Sequence, residues 1–378
     1  MTDMSFCIDR LDVFHLEAPI GTPRRNAFGT MHARPALLVR MTASDGAQGW
    51  GEAFCNWPAF GARHRRRILE DILAPLMLGN VYASPEDLWS ALTSTTRLIA
   101  LQANEPGPFE QCIAALDIAA WDLVARRDSR PLYAVLSDGS PASVPVYASA
   151  LTSETQERLV PSLRADGWGA FKTKVGFGLD RDLQTIDRLR GLAPGAAIMV
   201  DANQNWSIGE ALDFAQAMGD DDLTWIEEPL PADTADADWQ DLVAATAAPI
   251  AAGENLRGDR AFHRAATDLG IAVLQPDAVK WGGLSGLRRI ADIAADADAR
   301  FAPHYLGSGL GLAATAHAAA AFGAAWLEID VTENPLREAL FPMAQHVCGG
   351  NLDLSTTAPG LGVTPDPEFL ERFRAPQA

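Results

Sequence analysis

Short apolar runs along the second half of this chain each end in polar chemistry, and they do so at a nearly constant interval. Phe171 leads into Lys172 and Lys174, residues 198–200 into Asp201, residues 225–226 into Glu227, and residues 250–253 into Glu254. Residues 271–274 lead on to Asp277, residues 301–303 to His304, and residues 326–327 to Glu328. Successive steps from Lys174 are 27, 26, 27, 23, 27 and 24 residues. A strand, a crossover helix and two loops take roughly 30 residues, so this interval predicts a repeated βα unit. Polar residues closing every strand match a (β/α)8-type barrel, which keeps its active site at the carboxyl ends of its strands. With a first strand at 144–150 and no further period after Glu328, the expected form is α/β, a (β/α)7β variant of that barrel.

The first part of the chain follows another pattern. Runs rich in β-formers at 36–42 and 48–53 flank Ser44-Asp45-Gly46, a hairpin signal. Helical stretches follow at 62–78, 85–101 and 109–127. Pro85 stands behind Ser84, where a first-turn proline belongs, and Ile113, Leu116, Ala120 and Leu123 share one helix face. Antiparallel strands followed by helices predict an α+β domain. The expected division is an N-terminal capping domain at 1–138, a catalytic barrel at 139–345, and a segment at 346–378 that returns to the capping domain. Two stretches of the capping domain, 19–32 and 54–61, are expected to act as lids over the barrel mouth. The arginine-rich run 63–67 reads as a solvated helix face.

Composition narrows the class. The 378 residues are 48% hydrophobic and 21% charged, enough for one large domain and a smaller one. A net charge of −19 speaks against nucleic acid and against an anionic membrane surface. No apolar stretch reaches the roughly 18 residues of a membrane span, and Met1-Thr2-Asp3-Met4 lacks the layout of a signal peptide. Cys7, Cys55, Cys112 and Cys348 are scattered with no CxxC pair, which suggests neither disulfides nor a thiolate metal site. The expectation is a cytoplasmic protein, a homo-oligomer whose partner is a small molecule.

Asp201, Glu227 and Glu254 close three successive strands, so a barrel would bring them to one edge of its mouth. Three carboxylates without a thiolate or imidazole among them suit Mg²⁺, or Mn²⁺, and not zinc. Asn203, two residues past Asp201, shares its direction and is placed to touch a ligand. Lys172 and Lys174 alternate with Thr173, so both ammonium groups face the interior. Their mutual repulsion, with a divalent cation nearby, is expected to lower a lysine toward the range of a general base. Asp277 and His304 would stand across the mouth as an imidazole oriented by a carboxylate. Glu328 would lie between the two bases and donate to a developing oxyanion if burial keeps it protonated. Two bases on opposite faces of a carbon, with cationic help on one side, describe abstraction of a proton α to a carboxylate, with Lys172 and the metal carrying the enediolate charge.

The motifs that carry this chemistry resemble those of a known family. Phe171-Lys172-Thr173-Lys174-Val175-Gly176, Val200-Asp201-Ala202-Asn203-Gln204, Trp225-Ile226-Glu227-Glu228-Pro229 and Gly253-Glu254-Asn255 resemble the enolase superfamily, in its mandelate racemase subgroup. Gln275-Pro276-Asp277, Gly282-Gly283 and Pro303-His304 follow in the same order, and residues 115–122 and 359–362 extend the likeness over nearly the whole chain. The resemblance implies Mg²⁺ on Asp201, Glu227 and Glu254, Lys174 as one base supported by Lys172, a His304–Asp277 dyad as the other base or acid, and Glu328 as the electrophilic acid. Glu228 and Lys280, by strand alternation, should face away from these groups.

The resemblance fixes a half-reaction and leaves its outcome open. Dehydration of an aldonate or aldarate to a 2-keto-3-deoxy acid is the expected one, with racemisation or epimerisation of a 2-hydroxy acid as the alternative. Arg24, Arg25, His32 and Asn56 in the lids are suited to a hydroxyl-rich anion. A barrel glycosidase would also use two carboxylates, but it would have no use for the paired lysines. A non-catalytic ligand-binding relative would be expected to have lost a base, and none is missing. A lactonising enzyme of the superfamily would carry a lysine where Asp277 stands.

Overall fold

Strand-period alternation at the start of the chain builds a long antiparallel hairpin. A computed structural model describes residues 4–26, 29–219 and 222–376, the side chains at 24–26 and 344 excepted. In it β1 (Phe6–Asn26) pairs with β2 (Gly29–Ala43) from Ile8↔Ala43 to Asn26↔Gly29, with irregular register after Ile8 and after Pro19. β3 (Gln48–Ala53) joins β2 and β4 (Val81–Tyr82) joins β1, giving the order β3-β2-β1-β4. The turn between β2 and β3 is the Ser44-Asp45-Gly46 element, where Gly46 has φ 85° and Asp45 accepts the Ala47 amide at 3.0 Å. The stretch expected as a first lid is therefore mostly hairpin. Ladder pairing continues almost to its tip, and the Gly21 amide donates to Glu333 of the barrel at 2.9 Å.

Three helical segments cover this sheet. The first runs as Gly61–Arg67, a π-helical stretch Ile68–Leu73, and Ala74–Met77. The second, Pro85–Gln102, starts where Ser84 accepts the Asp87 amide at 3.2 Å. The third, Pro106–Arg127, is buried along most of its length because it lies between the sheet and the barrel. Its approach to β3 requires glycine there: a Cβ on Gly49 or Gly51 would lie 2.0 Å from the carbonyl oxygen of Ala119 or Ala115. Within the arginine run, Arg65 is buried and donates to Gln111 at 2.8 Å, so that run is not wholly a solvated face.

The barrel strands are β5 (Ser143–Leu151), β6 (Ala170–Lys174), β7 (Ala197–Asp201), β8 (Trp225–Glu227), β9 (Ile250–Ala252), β10 (Val273–Leu274), β11 (Arg300–Phe301) and β12 (Leu327–Asp330). They pair in parallel in sequential order from β5 to β11, and β12 pairs in parallel with the free side of β5. A helix separates each strand from the next, from Gln156–Ala165 after β5 to Gly309–Ala321 after β11. The Ala325 amide donates to the Phe301 carbonyl at 2.8 Å across the seam before β12. This is the (β/α)7β arrangement, with the capping domain on its polar end.

The remaining segment ties the two parts together. β13 (Val347–Cys348) pairs with β14 (Asn351–Asp353), which runs antiparallel to β5. Further on, the Leu361 amide donates to Asp122 of the long capping helix at 2.8 Å. The Glu17 amide reaches the Phe373 carbonyl at 2.8 Å, beside β1. Among the described residues, no helix is long and apolar enough to cross a membrane.

Candidate active site

The barrel interior is layered, because side chains two residues apart on a strand share a face. Tyr147, Ala170, Met199, Trp225, Ala251, Val273 and Ala302 form a buried apolar layer, with the Tyr147 and Trp225 rings edge to face at 5.2 Å. Two residues further along come Ser149, Lys172, Asp201, Glu227, Gln275, His304 and Glu328, all buried. An ionic layer therefore rests directly on an apolar floor. Lys172 is 1% exposed, and its ammonium sits 5.2 Å over the Tyr147 ring.

On the lysine side, register sets the contacts. Lys172↔Met199 and Lys174↔Asp201 are partners across β6 and β7, and Asp201↔Glu227 across β7 and β8. Lys172 bonds Glu227 in a short contact, Glu328 at 2.9 Å and Asp201 at 3.9 Å. Lys174 bonds Asp201 in another short contact. Neutral donors fix the carboxylates as well. The Asn203 amide donates to Asp201 at 2.8 Å, and Gln275 and the Trp225 indole donate to Glu227 at 2.7 and 3.0 Å. Asn203 and Glu228, each just past a strand-end acid, have φ of 47° and 43°. Strained backbone of this kind persists only where its surroundings over-determine it.

On the opposite side, His304 Nδ1 meets Asp277 at 2.7 Å and its Nε2 meets Glu254 at 2.8 Å, with Glu328 3.8 Å from the same nitrogen. Asp277 and His304 are joined by a parallel backbone bridge, and Asp277 also accepts the Val279 amide at 2.9 Å. Burial opposes charge on this imidazole, but Glu254, Glu328 and Asp277 outweigh it and hold its pKa well above the ordinary value.

The charges within the site follow its ion pairs. Burial opposes charge on both lysines, yet Glu227 and Glu328 hold Lys172 well above its ordinary range, and Asp201 raises Lys174. The repulsion between the two ammonium groups is the lesser effect. The cations around Glu328 likewise favour its charged form. Burial pushes it up, but Lys172 and His304, with the Ser149 hydroxyl, bring it down to about 2.

Strand alternation also fails at two places. Lys280 reaches Glu254 at 3.3 Å and lies 5.0 Å over the Phe54 ring. It does so because β10 ends at Leu274 and Lys280 sits in the turn beyond. Glu228 turns in a left-handed conformation and accepts the Gly253 amide at 3.2 Å and Asn255 at 3.1 Å. Burial and the neighbouring Glu254 push it up to about 8. Gln275 and Ser149 complete the layer, and Tyr147 lies in the floor beneath it, without a role having been assigned to them from sequence. The two-residue spacing of Gln275 from Asp277 and of Tyr147 from Ser149 was the available signal.

The side chains of Arg24 and Arg25 lie outside the described residues, although their backbones pair with Met31 and Thr30. His32 is exposed on β2. The Asn56 amide is engaged by the Leu306 carbonyl at 2.8 Å, so that nitrogen holds a loop.

The donor set suits a hard divalent cation. Asp201, Glu227 and Glu254 each have a neutral donor orienting the carboxylate and a cationic side chain balancing its charge. In this structure those oxygens face Lys172, Lys174, Lys280 and His304, and among the described residues no group of three such side chains is gathered as a metal-holding set.

Comparison with known proteins agrees with this architecture. The family profile described as enolase C-terminal domain-like matches residues 154–369, and that of the mandelate racemase / muconate lactonizing enzyme N-terminal domain matches residues 10–137. The D-galactarolactone cycloisomerase of Agrobacterium fabrum is 28% identical, over 96% of this chain and 97% of that protein. The arabinonate dehydratase of Saccharolobus solfataricus is 26% identical over 91% of each. Among solved structures, a mandelate racemase/muconate lactonizing enzyme from Bordetella bronchiseptica RB50 superimposes with a TM-score of 0.90, at 42% identity, covering 97% of this chain and 99% of that one. An enolase from Bradyrhizobium in complex with magnesium and mandelic acid has a TM-score of 0.83, at 28% identity over 100% of both chains.

Proposed function

Because this chain belongs to the mandelate racemase / muconate lactonizing enzyme family of the enolase superfamily, we propose that it removes the α-proton of a small carboxylate and dehydrates a sugar acid, an aldonate or aldarate, to a 2-keto-3-deoxy acid. The observation that carries this reading is the pair of bases on opposite sides of one buried mouth, Lys174 with Asp201 and His304 with Asp277. Asp201, Glu227 and Glu254 would hold Mg²⁺ or Mn²⁺, which when bound would supply Lewis-acid stabilisation of the substrate carboxylate.

Each side chain then has a distinct task. Lys172, charged and fixed at depth, neutralises the enediolate as its charge develops. Lys174, paired with Asp201 and with a second ammonium beside it, takes the α-proton. His304, oriented through Nδ1 by Asp277, gives a proton to the departing 3-hydroxyl. Glu328 orients Lys172, and its Oε2, without a hydrogen-bond partner and 3.8 Å from His304 Nε2, is placed to meet a substrate hydroxyl or, once protonated, to act as the electrophilic acid. Arg24, Arg25, His32 and Asn56 remain candidates for the distal end of the substrate, with the hairpin tip as the selective element.

The test is the product. A screen of mono- and diacid sugars should yield a 2-keto acid from at least one of them. Loss of optical rotation without a carbonyl would instead favour racemisation. Opening of galactarolactone with no action on open-chain acids would favour cycloisomerisation, which the likeness to the Agrobacterium enzyme makes the second reading.

A further inference from the structure

The stretch leading out of β3 reaches both loops of the histidine side. Glu52 is 3% exposed, and its carboxylate accepts the Tyr305 hydroxyl at 3.0 Å, the Ser308 amide and hydroxyl at 2.9 and 2.5 Å, and the Gly311 amide at 2.8 Å. Two residues on, the Phe54 amide donates to the Val279 carbonyl at 3.1 Å, and Asn56 then binds the Leu306 carbonyl. β11 ends at Phe301 and the next helix begins at Gly309. His304 therefore lies on a connection whose far half is tied down by another domain.

A buried carboxylate is costly unless its lone pairs are used. Here the donors come from both flanks of the same connection, and one of them is Tyr305, next to the imidazole. Tyr305 is held a second time through the Ser308 carbonyl at 2.7 Å. Such an anchor limits how far the ring can swing between Asp277 and Glu254. Lys174 has no need of one, since β6 pairs with β7 at every residue from Ala170 to Lys174.

We propose that Glu52, a capping-domain residue outside the reacting layer, is the positioning residue for His304 and leaves Lys174 unaffected. This rests on the two-base reading above. Glu52→Gln keeps the size and presents an amide to atoms that are themselves donors. Ser308→Ala is a milder variant that removes one of the bonds.

Two measurements on the full-length protein decide the matter. Amide hydrogen exchange of the substrate-free protein should speed up about tenfold over residues 302–312 in Glu52→Gln, with residues 170–175 and 197–203 unchanged. The second follows α-deuterium incorporation in D₂O with Mg²⁺, using (R)- and (S)-mandelate, galactarate and talarate as probes. His304→Asn identifies the probes that report the histidine face. On those probes Glu52→Gln should lose at least about tenfold more rate than on lysine-face probes, in kcat and not in KM. Equal losses on both faces, or unchanged exchange over 302–312, would overturn the proposal. If wild-type protein labels none of the probes, the two-base reading itself fails, while the amide measurement still decides whether Glu52 fixes this segment. Ser308→Ala should show the same selectivity at smaller size, which keeps the test open if Glu52→Gln does not fold.

Discussion

The two sides of the barrel mouth carry comparable chemistry and are built by different means. The lysine side is a product of strand register, since Lys172, Lys174, Asp201 and Glu227 sit on ladders of β6, β7 and β8. The histidine side stands on short strands, β10 and β11 having two residues each, and is braced from outside. Glu52 clamps the connection after His304. Asp117 receives the Leu284 and Ser285 amides, at 2.7 and 3.1 Å, at the start of the helix after Asp277. Arg34 bonds Asp330 and Thr332 at 2.8 Å after β12. The lysine side is thus set mainly by the pairing of neighbouring strands, and the histidine side is braced in addition by capping-domain residues more than a hundred positions away.

The largest perturbation should ignore this division. Removal of divalent cations, or Glu227→Gln, is expected to abolish turnover and α-proton exchange on both faces, with Mg²⁺ or Mn²⁺ restoring the chelated wild type. Full activity after exhaustive chelation would remove the metal from the scheme. The next perturbation separates the two sides. Lys174→Ala and His304→Asn should each lose roughly 10²–10⁴-fold on one face only, read by deuterium incorporation. Losses below tenfold in both would place the chemistry elsewhere.

A third comparison concerns stability. Gly283 has φ +60°, and a Cβ there would lie 2.2 Å from the Asp117 carboxylate, so Gly283→Ala should cost about 3 kcal/mol or more. Gly176, on the lysine side, has φ +93° but no atom nearer than 3.4 Å to such a Cβ. Its replacement by Ala should cost about 1–2 kcal/mol from backbone strain alone. Urea unfolding of both variants measures the difference, and equal losses would mean that the brace carries no more than the ladder does.

The smallest effect is a dependence on pH. His317, on the helix after β11, accepts the Tyr133 amide at 3.0 Å, and burial pulls its pKa down to about 4. A folded-state pKa below the unfolded one favours the neutral ring. Its contribution is therefore complete above about pH 6.5 and is lost as pH falls through 4, at most about 3 kcal/mol. The urea midpoint should drop over that window, and less so in His317→Gln. Parallel slopes in the two proteins would assign the drop to other groups.

This contrast also explains what could be read from the chain alone. Alternation on a strand was enough to aim Lys172, Lys174 and Asp201 at the interior, and the spacing of strand ends was enough for the barrel. Alternation has no authority past a strand end, which is why Lys280 and Glu228 point where they do. The charges of the lysines and of Glu328 depend on which oppositely charged groups pack beside them, a property that spacing does not contain. The brace is less legible still. Nothing near Glu52 in sequence marks it as a partner of Ser308, 256 positions away. The hairpin tip looked like a loop because its register irregularity after Pro19 hides the pairing on either side.

The floor of Tyr147, Trp225 and their neighbours has a consequence for traffic. It closes the barrel beneath the ionic layer, so under the proposed function an ion bound by Asp201, Glu227 and Glu254 would come from the capping-domain end and an organic acid bound to it would cover its way out. The expected consequence is ordered binding, the ion first in and last out, set by two aromatic rings that take no part in the proposed reaction.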